Sequence, residues 1–229
     1  MTAMLIVEDL LLCLTADDTG RLLVSGPEAD VGLGGALLVE LALRERVTVT
    51  PGRSGRLTVL DASPTGEPLL DDALATLTAK EGRRPQGAVT ALGRGTREQV
   101  YARLVEAGIL DADERRVLGL FPSRSWPTVQ PAHEESVRAR LAQALGTGTT
   151  GDPRLAALVS LLLAVGAVHK VQPPDSLGLT RRELTARARG IAEGEWAGRA
   201  VRDAIAGANA AIMTVLGVAV ASAGSGSGS

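Results

Sequence analysis

The chain has 229 residues, of which 45% are apolar and only 2% aromatic, and a formal net charge of −2. That length allows one domain or two small ones with ample sequence for a core. The charge excludes a generic nucleic-acid binder, which carries a basic excess. Tyr101, Phe121, Trp126 and Trp196 are the whole aromatic set, so Leu, Val and Ala must build the core, a palette that suits packed helices.

Met4–Leu14 is apolar at nearly every position and predicts a buried helix. Cys13, alone in the chain and inside a Leu run, reads as core rather than nucleophile and fits a cytoplasmic context. This segment lacks a basic stretch and is broken by Glu8-Asp9, so it does not read as a signal peptide. Asp17-Asp18-Thr19-Gly20 predicts a turn, Arg21–Val24 a short strand, and the Gly-, Pro- and acid-rich Ser25–Gly32 a loop. Gly35–Arg46 follows as a helix with a wide apolar face and two Arg near its C-terminus, where cations are favoured. Val47–Thr50 and Arg56–Leu60 alternate as the strands of a hairpin.

Helices dominate from there. Ser63-Pro64-Thr65-Gly66 is a turn feeding a helix over Glu67–Lys80, and Gly82–Gly87 is a break. Thr96 opens a helix to Ala107, with Gln99 at capping-box spacing and Gly108 as its stop. Val117–Phe121 and Ser125–Val129, around Pro122-Ser123-Arg124, predict a second hairpin, and Glu134–Leu145 a helix. Asp152-Pro153 is a cap followed by Pro at the first helical position. The apolar run it opens, Leu155–Val168, is about 14 residues long against the roughly 20 needed to cross a bilayer, so it reads as a core helix. Thr180 with Glu183 makes a further capping box before a charged helix over Arg181–Glu193. A last helix runs from about Trp196, which anchors it, to Val220, and Gly224–Ser229 is a flexible tail. The fold class is mainly α: a single compact multi-helix domain over residues 1–223 with short β-hairpins, followed by the tail at 224–229.

Little in the chain spells catalysis. With one Cys and only His133 and His169, no Cys/His zinc cluster can form, and neither His lies in a catalytic motif. Asp17-Asp18 falls in a turn, and Asp71-Asp72 are helix neighbours pointing about 100° apart, which cannot act as a pair. A protein without cofactor or enzymatic activity is expected. Two features point instead to a binding surface. Arg94 and Arg97 bracket the start of the helix at Thr96, where free N–H groups and the dipole favour an anion. They read either as a phosphate cradle or as solvated surface residues in a chain where 22 of the 24 basic residues are Arg. The segment Val117–Pro127 brings Leu118, Leu120, Phe121 and Trp126 together with Arg115, Arg116 and Arg124. It fits insertion at a lipid interface, or packing into the domain or onto a second copy.

Four stretches in order carry a family resemblance: Glu8–Leu12, Gly32–Arg46 (GLGGALLVELALRER), Ser63–Leu74 (SPTGEPLLDDAL) and Arg94–Leu110 (RGTREQVYARLVEAGIL). Together they resemble the Golgi phosphoprotein 3 family, and the Arg- and Ala-rich composition points to a bacterial, GC-rich actinobacterial member. The resemblance implies a mainly α-helical peripheral membrane protein that binds phosphatidylinositol 4-phosphate and, in eukaryotes, helps retain glycosyltransferases. It implies cytoplasmic location with association at the inner face of the membrane, protein clients, self-association through the 117–129 hairpin, and no nucleic acid. The family's two later pocket Arg fall on Arg94 and Arg97. Its earlier pocket Arg falls at Gly34 and its pocket Trp near Ser25, so this chain carries half of that pocket. A soluble adaptor that has lost specific phosphoinositide binding is the alternative.

Overall fold

A computed structural model describes residues 4–16, 19–50, 55–111, 113–117, 121–126, 129–194 and 199–217, with backbone alone at 113–117, 121–125 and 199–200. Helix α1 (Ile6–Leu14) is buried along almost its whole length, as its apolar run requires, and Cys13 is in the core. Its first turn is tied down by carboxylates: Leu5 N–H donates to Glu8 Oε2 at 2.7 Å and Ile6 N–H to Glu40 Oε2 at 2.9 Å. These side chains satisfy amide donors that a helix start leaves without partners.

Helix α2 (Gly26–Leu43) is the centre of the molecule. Every residue from Val31 to Ala42 is buried, the pattern of a helix packed on all sides. Around it stand α1, α3 (Pro68–Thr78), α4 (Pro85–Gly93), α5 (Thr96–Glu106), α7 (Pro153–Ala164) and α10 (Arg199–Val215). The expected loop over residues 25–32 is therefore corrected: its Gly, Pro and acid are the first two turns of α2. Ser25 Oγ accepts from Glu28 N–H, Glu28 Oε2 accepts from Ser25 N–H, and Pro27 stands in the first turn. The strand expected at Arg21–Val24 reduces to one antiparallel bridge between Thr15 and Leu22.

Strands β1 (Val47–Val49) and β2 (Leu57–Val59) pair antiparallel with Val47 opposite Val59, and Val47, Val49 and Leu57 turn inward. At the turn before α3, Asp71 Oδ1 accepts from Thr65 N–H at 2.6 Å and from its hydroxyl at 2.7 Å. These bonds hold the Asp71 carboxyl below its ordinary range and occupy it structurally. Helix α4 occupies a stretch read as a break running into unassigned residues. Strands β3 (Asp113–Val117) and β4 (Phe121–Ser125) form the second hairpin with Val117 opposite Phe121. The pairing is shifted from the expected one: Pro122-Ser123-Arg124 is strand, not turn.

Helices α6 (Ala132–Thr147), α8 (Val168–Val171) and α9 (Arg181–Glu193) complete one side. Asp152 caps α7 by accepting from Arg154 and Leu155 N–H, and Thr180 with Glu183 forms the capping box of α9, both as the sequence predicts. The apolar Leu155–Val168 run is interrupted by Gly166 at φ +69°, which divides α7 from α8. Trp196 and the tail lie outside the described residues.

Candidate functional site

The region around Arg94 and Arg97 is built by the junction of α4 and α5. Arg94 is the C-cap residue of α4 and Gly95, at φ +73°, is the N-cap of α5. The predicted Thr96 capping box does not form. Thr96 is already the first helical residue, it is buried, and its hydroxyl donates back to the Leu92 carbonyl of α4. Thr96 thus welds the two helices instead of closing the start of α5.

Arg94 and Arg97 part company at this junction. Arg94 is exposed and lines a cleft of about 110 Å³ between α3 and the α4–α5 junction, with Asp72, Thr76, Thr96 and Gln99 supplying polar atoms. It makes no ion pair among the described residues. Arg97 does not line this cleft but reaches toward the start of α2. Its Nε lies 3.6 Å from Asp30 Oδ1 and its Nη2 3.3 Å from Glu98 Oε1. A Cβ placed on Gly26 would lie 2.9 Å from its Nη1, so the guanidinium rests against the first turn of α2. Burial pushes the Asp30 carboxyl up, only partly opposed by Arg97. One of the two Arg therefore has its charge free, and the other shares it with two carboxylates.

The two positions at which the resemblance implies the remaining pocket residues, Ser25 and Gly34, have surroundings that sequence alone does not reveal. Ser25 caps α2 and is exposed. Gly34 lies where α2 crosses α4: a Cβ there would stand 2.1 Å from the Val89 carbonyl oxygen and 2.7 Å from Gly93 N. Gly93 meets α2 in the same way, 2.2 Å from the Asp30 carbonyl. The two backbones touch, and no side chain fits at position 34 in this packing.

Of the hairpin residues, Leu118 and Leu120 lie outside the described residues, while Phe121 and Arg124 are placed by backbone alone, opposite Val117 and Glu114. Trp126 is half-buried at the foot of the hairpin and stacks on Tyr101 of α5, with ring centroids 3.9 Å apart and planes 2° from parallel. The Tyr101 hydroxyl in turn meets Thr15 Oγ1 at 3.1 Å. Trp126 so joins the hairpin to α5 by a stacked aromatic pair, and through the Tyr101 hydroxyl to α1.

The two His are structural or surface groups. His133 Nε2 lies 2.7 Å from Asp9 Oδ1, joining α6 to α1, and His169 lies half-buried on α8 beside Arg181. Among the described residues no cluster of His, Cys, Asp or Glu could hold a metal ion. No described helix is long and apolar enough to cross a membrane.

A family model for Golgi phosphoprotein 3 matches residues 6–208, which takes in α1 and all but the end of α10. The chain is also similar to vacuolar protein sorting-associated protein 74 of Eremothecium gossypii. The two are 28% identical over 164 residues, 61% of this chain and 48% of that relative, so the match spans about half of the relative's length. The helical fold built around α2, the α4–α5 junction with its paired Arg positions and the hairpin after α5 all lie within the matched residues, and the chain belongs to the Golgi phosphoprotein 3 family.

Proposed function

We propose that this protein is a non-catalytic peripheral membrane protein that binds anionic, phosphoinositide-type headgroups, phosphatidylinositol 4-phosphate among them, from the cytoplasmic side. Family membership supports the class of function. The observation that carries the site is Arg94: an exposed guanidinium with no carboxylate partner among the described residues, set in a polar cleft at a helix junction. A guanidinium fork matches phosphate oxygens with two parallel hydrogen bonds. Arg97, three residues on, borders the cleft's helix and lends charge while remaining tied to Asp30. The 117–129 hairpin, with Leu118, Leu120 and Phe121, supplies apolar contact or self-association. Changing Arg94 and Arg97 together to Ala tests this: co-sedimentation with vesicles containing phosphatidylinositol 4-phosphate should fall while the fold persists. Unchanged binding would remove the pocket.

A second reading has its own observation. Gly34 has no space for the side chain that the family's pocket uses there, and Ser25 is committed to its cap. A protein–protein adaptor without specific phosphoinositide recognition fits these two positions. Capture of protein clients by a chain that pellets with no anionic vesicle would favour it.

A further inference from the structure

The Arg side chains of this molecule fall into two sets, and the second set points to a surface the family pocket does not include. Arg44, Arg46, Arg97, Arg103, Arg138, Arg140 and Arg154 each reach a carboxylate within 4 Å. Among the described residues Arg21, Arg56, Arg83, Arg84 and Arg94 do not, nor do the four Arg of α9, the element that carries the most Arg. Arg187 explains itself: it donates to the Leu145 and Gly146 carbonyls and so closes the C-terminal end of α6. Arg181, Arg182 and Arg189 remain, and all three are exposed.

Helix geometry and the neighbouring α8 gather these charges. Residues 182 and 189 are seven apart and share one face of α9, opposite the buried Leu184, Ala188 and Ile191. Between them that face carries Thr185 and Ala186, small side chains that let a flat partner approach. Arg181 Nη2 lies 3.1 Å from His169 Nε2, so the imidazole accepts from a cation rather than from an acid's partner. Lys170, the next residue, is exposed and donates from Nζ to the Leu23 carbonyl at 2.9 Å. That contact lies just before Gly26, against which Arg97 rests. Burial first, then the positive charges of Arg181 and Lys170, hold His169 below its ordinary range, as expected in a locally positive field. Three carboxylates share this neighbourhood and keep their charge: Glu183, bonded to the Thr180 N–H and hydroxyl, Glu28, bonded to the Ser25 N–H and near Lys170, and the exposed Glu193, one turn beyond Arg189.

We infer that Lys170, Arg181, Arg182 and Arg189 form an anionic-bilayer contact surface, continuous with the Arg97 side of the proposed site, that takes the place of the two pocket positions this chain lacks. The inference rests on the peripheral-membrane reading above. A bilayer is the occupant because Arg181, Arg182 and Arg189 are exposed along one side of α9 and Lys170 is exposed on α8 beside it, toward the start of α2 on which Arg97 rests. Single-stranded nucleic acid would need a series of aromatic platforms, and α8 and α9 contain no Phe, Tyr or Trp.

The test uses the full chain, wild type and two variants, K170Q/R181Q/R189Q and R94Q/R97Q, against phosphatidylcholine vesicles with and without phosphatidylserine. The triple variant should melt as wild type does, because these side chains are exposed. It should lose on the order of a hundredfold in partitioning onto the phosphatidylserine vesicles at low salt, as removal of three surface charges implies. R94Q/R97Q should lose less on this lipid. If wild type binds and the triple variant binds equally, the α8–α9 surface is overturned while the headgroup site stands. If wild type and the triple variant bind the vesicles alike but differ in retention of a single-stranded RNA assayed alongside, the bilayer assignment is overturned. If wild type binds no anionic vesicle, both readings fall.

Discussion

Around α1, Arg side chains end on buried carboxylates; on α9 none reaches a carboxylate, and Arg182 and Arg189 are exposed. Glu40 is fully buried and receives Arg154 Nη1 at 2.9 Å, Arg44 Nε at 3.0 Å and the Ile6 N–H. Glu8, also buried, receives Arg103 Nε at 2.9 Å, and Arg103 reaches on to Glu67 at 3.3 Å. Glu134 holds Arg138 at 2.7 Å. A buried carboxylate is tolerated only when paired and hydrogen-bonded, so these Arg are committed to the fold. The same residue type without a buried acid is available to a ligand. Composition counts both kinds alike, and only the partner tells them apart.

The largest way to break this contrast is Glu40→Ala. It strips the partner from Arg154 and Arg44 and leaves the Ile6 N–H buried without an acceptor, so it should cost about 3 kcal/mol in urea unfolding. A loss under about 0.5 kcal/mol would show that the α1 clamp is not structural. Acid should act through the same group. Burial raises the Glu40 carboxyl, but the bonds from Arg154, Ile6 and Arg44 outweigh it and hold the group below 4.5. The folded state then binds its proton less tightly than the unfolded chain. The stabilisation is present above pH 4.5 and is lost as pH falls through the lower folded value, so a melting-temperature series should drop steeply there. Glu40→Ala should flatten that drop.

A smaller effect is expected for Glu8→Gln, which keeps an acceptor for Leu5 N–H but removes the charge facing Arg103. A loss of about 1.5 kcal/mol is consistent with a charge-assisted bond reduced to a neutral one. The smallest belongs to the other region. Arg182→Gln with Arg189→Gln should leave stability within about 0.5 kcal/mol of wild type. A larger destabilisation would mean that α9 uses these cations for its fold, and the comparison would fail.

Much of the fold is legible as local pattern. The apolar run of α1, the alternation in β1 and β2, the Asp152-Pro153 cap and the Thr180–Glu183 box each contain their own signal within a few residues. The first turns of α2 were legible too, in Ser25, Pro27 and Glu28, but their Gly and acid content resembles a loop when the cap is overlooked. The hairpin pairing was misplaced because Pro122 reads as a turn residue, whereas a two-stranded ribbon has open edges where Pro costs no ladder bond. The site was legible only in part. Arg94 and Arg97 can be picked out by their place at a helix start, yet their different surroundings depend on Asp30 of α2 and on the cleft against α3. The closure of position 34 depends on Val89 and Gly93, more than fifty residues away in sequence. No local pattern encodes such a crossing. The cations of α8 and α9 were likewise visible only as a charged helix, since their lack of acidic partners is a tertiary property.

A protein that meets membranes peripherally through phosphate-seeking cations must bind anionic vesicles in a salt-dependent way. Co-sedimentation of the full chain with vesicles of phosphatidylcholine alone, or mixed with phosphatidylinositol 4-phosphate, over a range of salt concentrations tests it most directly. Pelleting is expected with the anionic vesicles only, weakening as salt shortens the reach of surface charge. Equal pelleting with phosphatidylcholine alone, or none with either vesicle at low salt, would contradict it.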